Sequence, residues 1–429
     1  MSLRTRQIAI VLLLFGGYAS LYFCRADLSV ATPLLIQDLA RRGVDRSTAI
    51  VALGNISSWG VLAYAVGKLF LTGLGDIWGG RLNFLVGLVG ATVFTVLFTL
   101  GGGIPVFTLA WIGNRLTQSI AWAGLIKVSS RWFDYQSHGA IIGVLSLSYL
   151  IGDAVARQSM GLLIAHGFGW RSLFYYAAAV AGVLLLANFL FLRESRAAFG
   201  HRDAETNPLN LYAAAAERPK GLRALLAPLL CSRAYWLVCL LSLGCTIIRE
   251  TFNNWTPVYL HYHLGFSDSR AAGMSAVFPA VGAVSVLVTG WLSDRFGANG
   301  RSLLMFVGLA GTVAALVAMM ALHAGVGATV PLVIIGTVAF CLLGPYSYLG
   351  GAFALDFGGK QASAVASGII DGIGYLGAVL AGGSVAKISV VFGWKGVFAA
   401  LAAVSALSAL GAAALYRLGA RATSGGHSR

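Results

Sequence analysis

The chain has 429 residues, 58% of them hydrophobic and 10% charged, with a mean hydropathy of +0.80. Soluble domains carry about 25% charged residues, so this composition excludes an ordinary water-soluble fold. A formal net charge of +15 would suit a nucleic-acid binder, but the bases lie between apolar runs rather than on one basic face, which excludes that partner.

A bilayer-spanning helix needs about 20 mostly apolar residues. Twelve runs qualify, near residues 7–36, 48–72, 82–103, 105–130, 140–165, 172–192, 234–260, 271–291, 302–323, 329–353, 363–391 and 396–416. The first continues beyond the length of a signal-peptide core, so no cleavable signal is expected. At its centre stands Arg25, in Tyr18-Ala-Ser-Leu-Tyr-Phe-Cys-Arg25. A guanidinium at bilayer depth costs several kcal/mol, about 2.5–3.5 on lenient scales, so it must face a watery cavity or a partner. Its bland alternative is an ion pair with Asp27.

The second span carries Lys68, which either faces a ligand or snorkels to the interface. Between spans two and three stands Gly75-Asp76-Ile-Trp-Gly79-Gly80-Arg81. Arg115 and Lys127 on span four read as packing or interfacial charges. On span five, Asp153 and Arg157 share a helix face at i, i+4 and are expected to neutralise one another more than to bind a ligand. The long polar segment 194–233, with Pro208, Pro219 and Pro228, then divides the chain into six spans plus six. It is expected to be a cytoplasmic linker between halves at 1–193 and 234–417, with 418–429 a tail.

The seventh span repeats the theme of the first, with Arg249 followed by Glu250. His261 and His263 are too few for a metal site, and none is expected. Gly290-Trp-Leu-Ser-Asp294-Arg295-Phe-Gly297 follows span eight, and Asp371 lies in span eleven. The aspartates of the two loops are 294 − 76 = 218 apart, and the buried arginines 249 − 25 = 224, so two marks give nearly one repeat length. The five scattered cysteines form no CxxC pair and read as small hydrophobes.

Of the 30 Lys and Arg, seventeen fall on the side of the termini, six on the other side and seven within spans. The positive-inside rule therefore puts both termini in the cytoplasm. Seven bases within spans face four acids, Asp27, Asp153, Glu250 and Asp371, and the surplus of cations favours an anionic ligand. No P-loop or other cofactor motif is present, and no nucleophile–base constellation marks an enzyme.

The loop pattern around Asp294 and Arg295 resembles that of the major facilitator superfamily, and the resemblance covers essentially the whole chain. It implies an all-α membrane protein of twelve transmembrane helices in two pseudo-symmetric six-helix halves, with Asp76, Arg81, Asp294 and Arg295 in gating loops. The first loop copy departs from the pattern, with Ile77 where arginine is usual. Five segments are more specifically similar to the organophosphate/phosphate antiporter family: Gly17–Arg25, Val66–Phe70, Arg131–Phe133, Ile248–Leu260 and Ile370–Gly377. In that family the arginines matching Arg25 and Arg249 bind the substrate phosphate, and a lysine matching Lys68 lies nearby. Tyr149 stands where the glycerol-phosphate members carry a histidine, which leaves the organic group or the coupling open. The implied function is exchange of an organophosphate ester for inorganic phosphate, in a monomer of the cell inner membrane with no cofactor. Two rivals stay open: a proton-coupled symporter of an organic carboxylate, using Asp27, Asp153, Glu250 or Asp371, and a transporter-like receptor that senses a sugar phosphate.

Overall fold

In the computed structural model the described residues are 2–71, 79–134, 138–202, 204 and 229–425. Within helices, the side chains of 138–140, 293–299, 351, 355, 356, 358–365 and 419–425 lie outside that description. Every regular element among the described residues is helical. Among the described residues, eleven helices are long and apolar enough to cross a bilayer. They are α1 (Leu3–Arg41), α2 (Arg46–Phe70), α3 (Gly80–Leu100), α6 (Ile141–Ala165), α7 (Trp170–Phe191), α8 (Arg233–Tyr262), α9 (Asp268–Leu292), α10 (Gly300–Met319), α11 (Thr329–Tyr348), α12 (Ala366–Val391) and α13 (Gly393–Leu418). The twelfth expected span, 105–130, is present as two shorter helices, α4 (Ile104–Gln118) and α5 (Ala121–Trp132).

Hydrogen bonding explains that break. The Ser119 hydroxyl donates back to the Leu116 carbonyl at 2.6 Å, competing with the backbone ladder. The Ile120 carbonyl, which accepts from the Gly124 amide as α5 begins, accepts also from Asn83 Nδ2 of α3 at 3.2 Å, so α3 is tied to the start of α5. Helix starts follow the usual chemistry. Asp45 caps α2, its carboxylate accepting from the Ser47 hydroxyl and from the Ser47 and Thr48 amides, the amides at 2.9 and 3.3 Å, and these bonds, the hydroxyl's first, hold its pKa below the ordinary aspartate value.

Two compact units are present. The first comprises Met1–Pro208, Asn254–Tyr262 and Phe266–Ala276; the second comprises Leu209–Asn253, His263–Gly265 and Val277–Arg429. The last turns of α8 and the first turns of α9 thus belong with the first unit. There the Ser29 hydroxyl donates to the Asn254 carbonyl at 2.9 Å, Tyr262 donates to the Pro33 carbonyl at 3.1 Å, and Ser269 donates to the Gly161 carbonyl at 2.7 Å. The expected linker also begins inside this unit. Arg196 pairs with Asp134 at 2.8 Å, and the Arg6 guanidinium lies 3.9 Å from the centre of the Phe199 ring. Residues 203 and 205–228 of that linker lie outside the described residues.

A third mark of the repeat is a proline inside each arginine-bearing helix. Pro33 in α1 and Pro257 in α8 are 257 − 33 = 224 apart, the interval that separates Arg25 from Arg249. Each proline deletes an intrahelical N–H, so each helix is weakened at the same distance beyond its arginine.

In the first unit, α2 presents Gly60, Tyr64, Gly67 and Lys68 at intervals of four, three and one, along one helix face. Gly60 lies against Trp111 and Gly67 against Ser119, each so closely that a Cβ would overlap the neighbour. This approach brings Tyr64 and Lys68 onto α4. Gly60→Val is therefore expected to lower the melting temperature of the detergent-purified protein by several degrees, from overpacking of about 1–3 kcal/mol. Gly143→Ala, at a position with open space around it, is the control and should melt like the parent.

Candidate functional site

Three cations of the first unit gather on one aromatic ring. The Arg25 guanidinium lies 4.6 Å from the centre of the Tyr64 ring, the Arg115 guanidinium 5.0 Å and Lys68 Nζ 5.6 Å. Arg25 also lies 4.6 Å from the Tyr22 ring and donates to its hydroxyl at 3.1 Å. Tyr22 in turn packs on Tyr149, with ring centroids 5.7 Å apart. The cluster thus unites three expected site residues, Arg25, Lys68 and Tyr149. Aromatic faces stabilise desolvated cations by about 2 kcal/mol without neutralising them. Arg115, read from the sequence as a packing charge, belongs to this cluster and is only 6% exposed.

Amides fix the direction of Arg25. Its Nε donates to Gln118 Oε1 at 2.6 Å. A guanidinium only donates, so the Gln118 oxygen must face it and the Gln118 nitrogen must turn away. That nitrogen donates to Asn114 Oδ1 at 2.6 Å, and Asn114 Nδ2 donates to Thr95 Oγ1 at 2.9 Å. A one-way relay therefore runs from α1 through α4 to α3. Sequence reasoning missed Gln118 and Asn114. The available signal was three polar residues, Asn114, Arg115 and Gln118, inside an apolar run.

Asp27 is fully buried and makes no ion pair among the described residues. Its Oδ1 accepts from the Leu28 amide at 2.7 Å, and its Oδ2 has no hydrogen-bond partner there. Pairing with Arg25, the bland account of that arginine, is therefore not what the geometry contains. On α6, Arg157 Nε donates to Asp153 Oδ1 at 2.9 Å, and the two side chains are 3% and 9% exposed. Arg157 also reaches Ser275 Oγ at 3.3 Å.

In the second unit Arg249 takes a different partner. Its Nη2 donates to Glu250 Oε1 at 2.8 Å, with the side chains 15% and 10% exposed. Asn253 Nδ2 donates to the same oxygen at 3.3 Å. The guanidinium lies 4.7 Å from the Tyr346 ring of α11, and Asp371 and Tyr375 of α12 lie within electrostatic reach of that tyrosine. Asp371 itself makes no ion pair among the described residues and rests against Gly350.

Of the expected gating residues, Asp76 and the side chains of Asp294 and Arg295 lie outside the described residues. Arg81 is described: it donates from Nε to the Leu192 carbonyl and from Nη2 to the Phe189 carbonyl, both at 2.7 Å. A cation on the closing carbonyls of α7 is favoured by the helix dipole. The acid at the start of α3 is Glu194, which accepts from the Gly80 and Arg81 amides at 2.9 and 2.6 Å and pairs with Arg131 at 3.3 Å. Gly79 precedes it with φ 91, a conformation that suits glycine. Sequence reasoning placed Glu194 in the linker and missed this cap. His261 bonds to the Phe266 carbonyl and lies 3.1 Å from Asp268, whereas His263 bonds to the Leu322 carbonyl, so the two rings serve different groups. Burial lowers the pKa of His263.

A family model described as Major Facilitator Superfamily matches residues 14–382. The chain is 27% identical over 421 residues to a probable hexose phosphate transport protein of Chlamydia pneumoniae, covering 94% of this chain and 90% of that one. It is 26% identical over 416 residues to the membrane sensor protein UhpC of Salmonella typhimurium, covering 94% and 89%. Among solved structures it resembles a bacterial homologue of the human lysosomal transporter Spinster, crystallised inward-facing and unoccupied. That match has a TM-score of 0.73, 16% identity and 97% coverage of both chains.

Removing one partner of a buried ion pair costs about 3–5 kcal/mol, because the other charge is left uncompensated. Asp153→Ala should accordingly depress the melting temperature and the folded yield, and adding Arg157→Ala should restore part of both. A double variant no better than the worse single one would show that the two residues do not act by mutual neutralisation.

Proposed function

The chain belongs to the Major Facilitator Superfamily, and from that premise we propose that it exchanges an organophosphate ester for inorganic phosphate across a membrane by alternating access. The observation that carries this reading is the convergence of Arg25, Lys68 and Arg115 on Tyr64. Cations held by an aromatic ring and an amide keep their charge available, and an anion with several oxygens can use the planar donor fork of a guanidinium. Arg25 and Arg249 are proposed as phosphoryl-binding residues, Lys68 as an added charge, and Tyr149 as a contact to the organic group. The likeness to a hexose phosphate transport protein supports a phosphorylated sugar as that ester.

By the same reading the protein is a monomer of a bacterial inner membrane with cytoplasmic termini, and Asp76, Arg81, Asp294 and Arg295 shape the loops that gate it. One observation favours a second reading. The likeness to a membrane sensor protein supports a receptor that binds a sugar phosphate without moving it.

Radiolabelled phosphate exchange in phosphate-loaded proteoliposomes tests the proposal. Hexose phosphates and glycerol phosphate should compete with the label and drive its efflux, whereas carboxylates should not. Uptake that needs no internal phosphate and is competed only by carboxylates would overturn it in favour of proton symport. Binding of phosphate esters without any exchange would establish the receptor.

A further inference from the structure

Arg249 already holds an anion. Glu250 Oε1 lies 2.8 Å from its Nη2, and the pair is largely screened from solvent, at 15% and 10% exposure. Asn253 donates to the same carboxylate oxygen, fixing Glu250 toward the guanidinium rather than away from it. A phosphoryl group approaching Arg249 would meet a pair of zero net charge and a carboxylate of its own sign. To take both arms of the donor fork at Nη2 it must displace Glu250, and a displaced, ionised carboxylate in that buried place is costly. Adding a proton to Glu250 removes both penalties.

We infer that Glu250 is a protonatable competitor of the transported anion: phosphate binding at Arg249 displaces Glu250, and Glu250 takes up a proton as it leaves. This rests on the assignment of Arg249 as a phosphate-binding residue. It adds a coupling function, in which one proton from the bulk water facing the site passes to the Glu250 carboxyl for each anion bound. The proton returns to water when the anion departs and the ion pair re-forms.

Among the described residues, the groups on the elements around α8 are these. On α8 itself the titratable neighbour is Cys245, which is buried one turn before Arg249. From α11 comes Tyr346, and from α12 come Asp371 and Tyr375, which act on Tyr346. The faces of α9 and α13 that meet α8 supply Phe278 against Phe252, and Val404 and Ser408 against Gly244, none of which titrates near neutrality. Asp371 is the one other carboxylate in this set, and no ion pair joins it to Arg249 among the described residues.

The test is the affinity of purified wild type and Glu250→Gln for inorganic phosphate between pH 5.5 and 8.5. The ratio of the two affinities at each pH cancels the ionisation of phosphate itself. Because the ionised carboxylate is the competitor, the advantage of Glu250→Gln over wild type should grow toward the alkaline end, by up to about tenfold per pH unit where one proton is taken up per phosphate bound. The ratio should approach one at the acid end. A ratio independent of pH, or weaker binding by Glu250→Gln throughout, overturns the inference. Should that variant fail to fold, wild-type protein serves alone. At pH 8.5 it should take up close to one proton per phosphate bound, read with a pH-indicator dye, and no uptake overturns the inference equally. Absence of phosphate binding in wild type at every pH would instead remove the assignment of Arg249 on which the inference stands.

Discussion

A guanidinium in a bilayer core costs about 2.5–3.5 kcal/mol even on lenient scales, so the protein itself must supply what water no longer does. Both arginine-bearing helices meet this demand, at positions 224 residues apart (249 − 25) and each followed eight residues later by a proline. They meet it differently. Around Arg25 stand two tyrosine rings and the Gln118 amide. Against Arg249 stands a carboxylate, Glu250. Aromatic faces and amides solvate a cation without cancelling it, while an ion pair cancels it until something displaces the acid.

Close packing determines which groups reach Arg25. Gly60 and Gly67 let α2 press onto Trp111 and Ser119 of the broken span, and the same helix face carries Tyr64 and Lys68. The break after Gln118 ends α4 just where its polar residues meet α1, and Asn83 of α3 bonds to the carbonyl at the start of α5. The relay Gln118–Asn114–Thr95 then ties the direction of Arg25 to the third helix. A lost methylene or an added methyl in these contacts would therefore be felt at the guanidinium. Dense, interdigitated packing transmits such shifts.

What the sequence makes legible follows from range. Hydropathy is a local sum, so the spans are readable, and Asp153 with Arg157 is readable because i, i+4 is a fixed distance on any helix. The buried arginines stand out because charge in an apolar run is costly. Partners from other helices leave no local trace: Gln118, Asn114 and Glu194 read as ordinary polar residues until α1, α4, α3 and α7 are brought together. The division of span four at Ser119 depends on a side chain bonding to its own backbone, which hydropathy does not register. Arg115 is the instructive case, since its depth in an apolar run resembles that of Arg25, yet its place at Tyr64 is set by α2.

The central claim is that Arg25 and Arg249 bind phosphate through the shape of the guanidinium and not through charge alone. Phosphate affinity of purified, monodisperse Arg25→Lys and Arg249→Lys measures this most directly, since lysine keeps the charge and loses the donor fork. Each variant is expected to bind about 10- to 150-fold more weakly, the worth of a charge-assisted hydrogen bond. Well-folded lysine variants that bind phosphate like the parent would contradict the account.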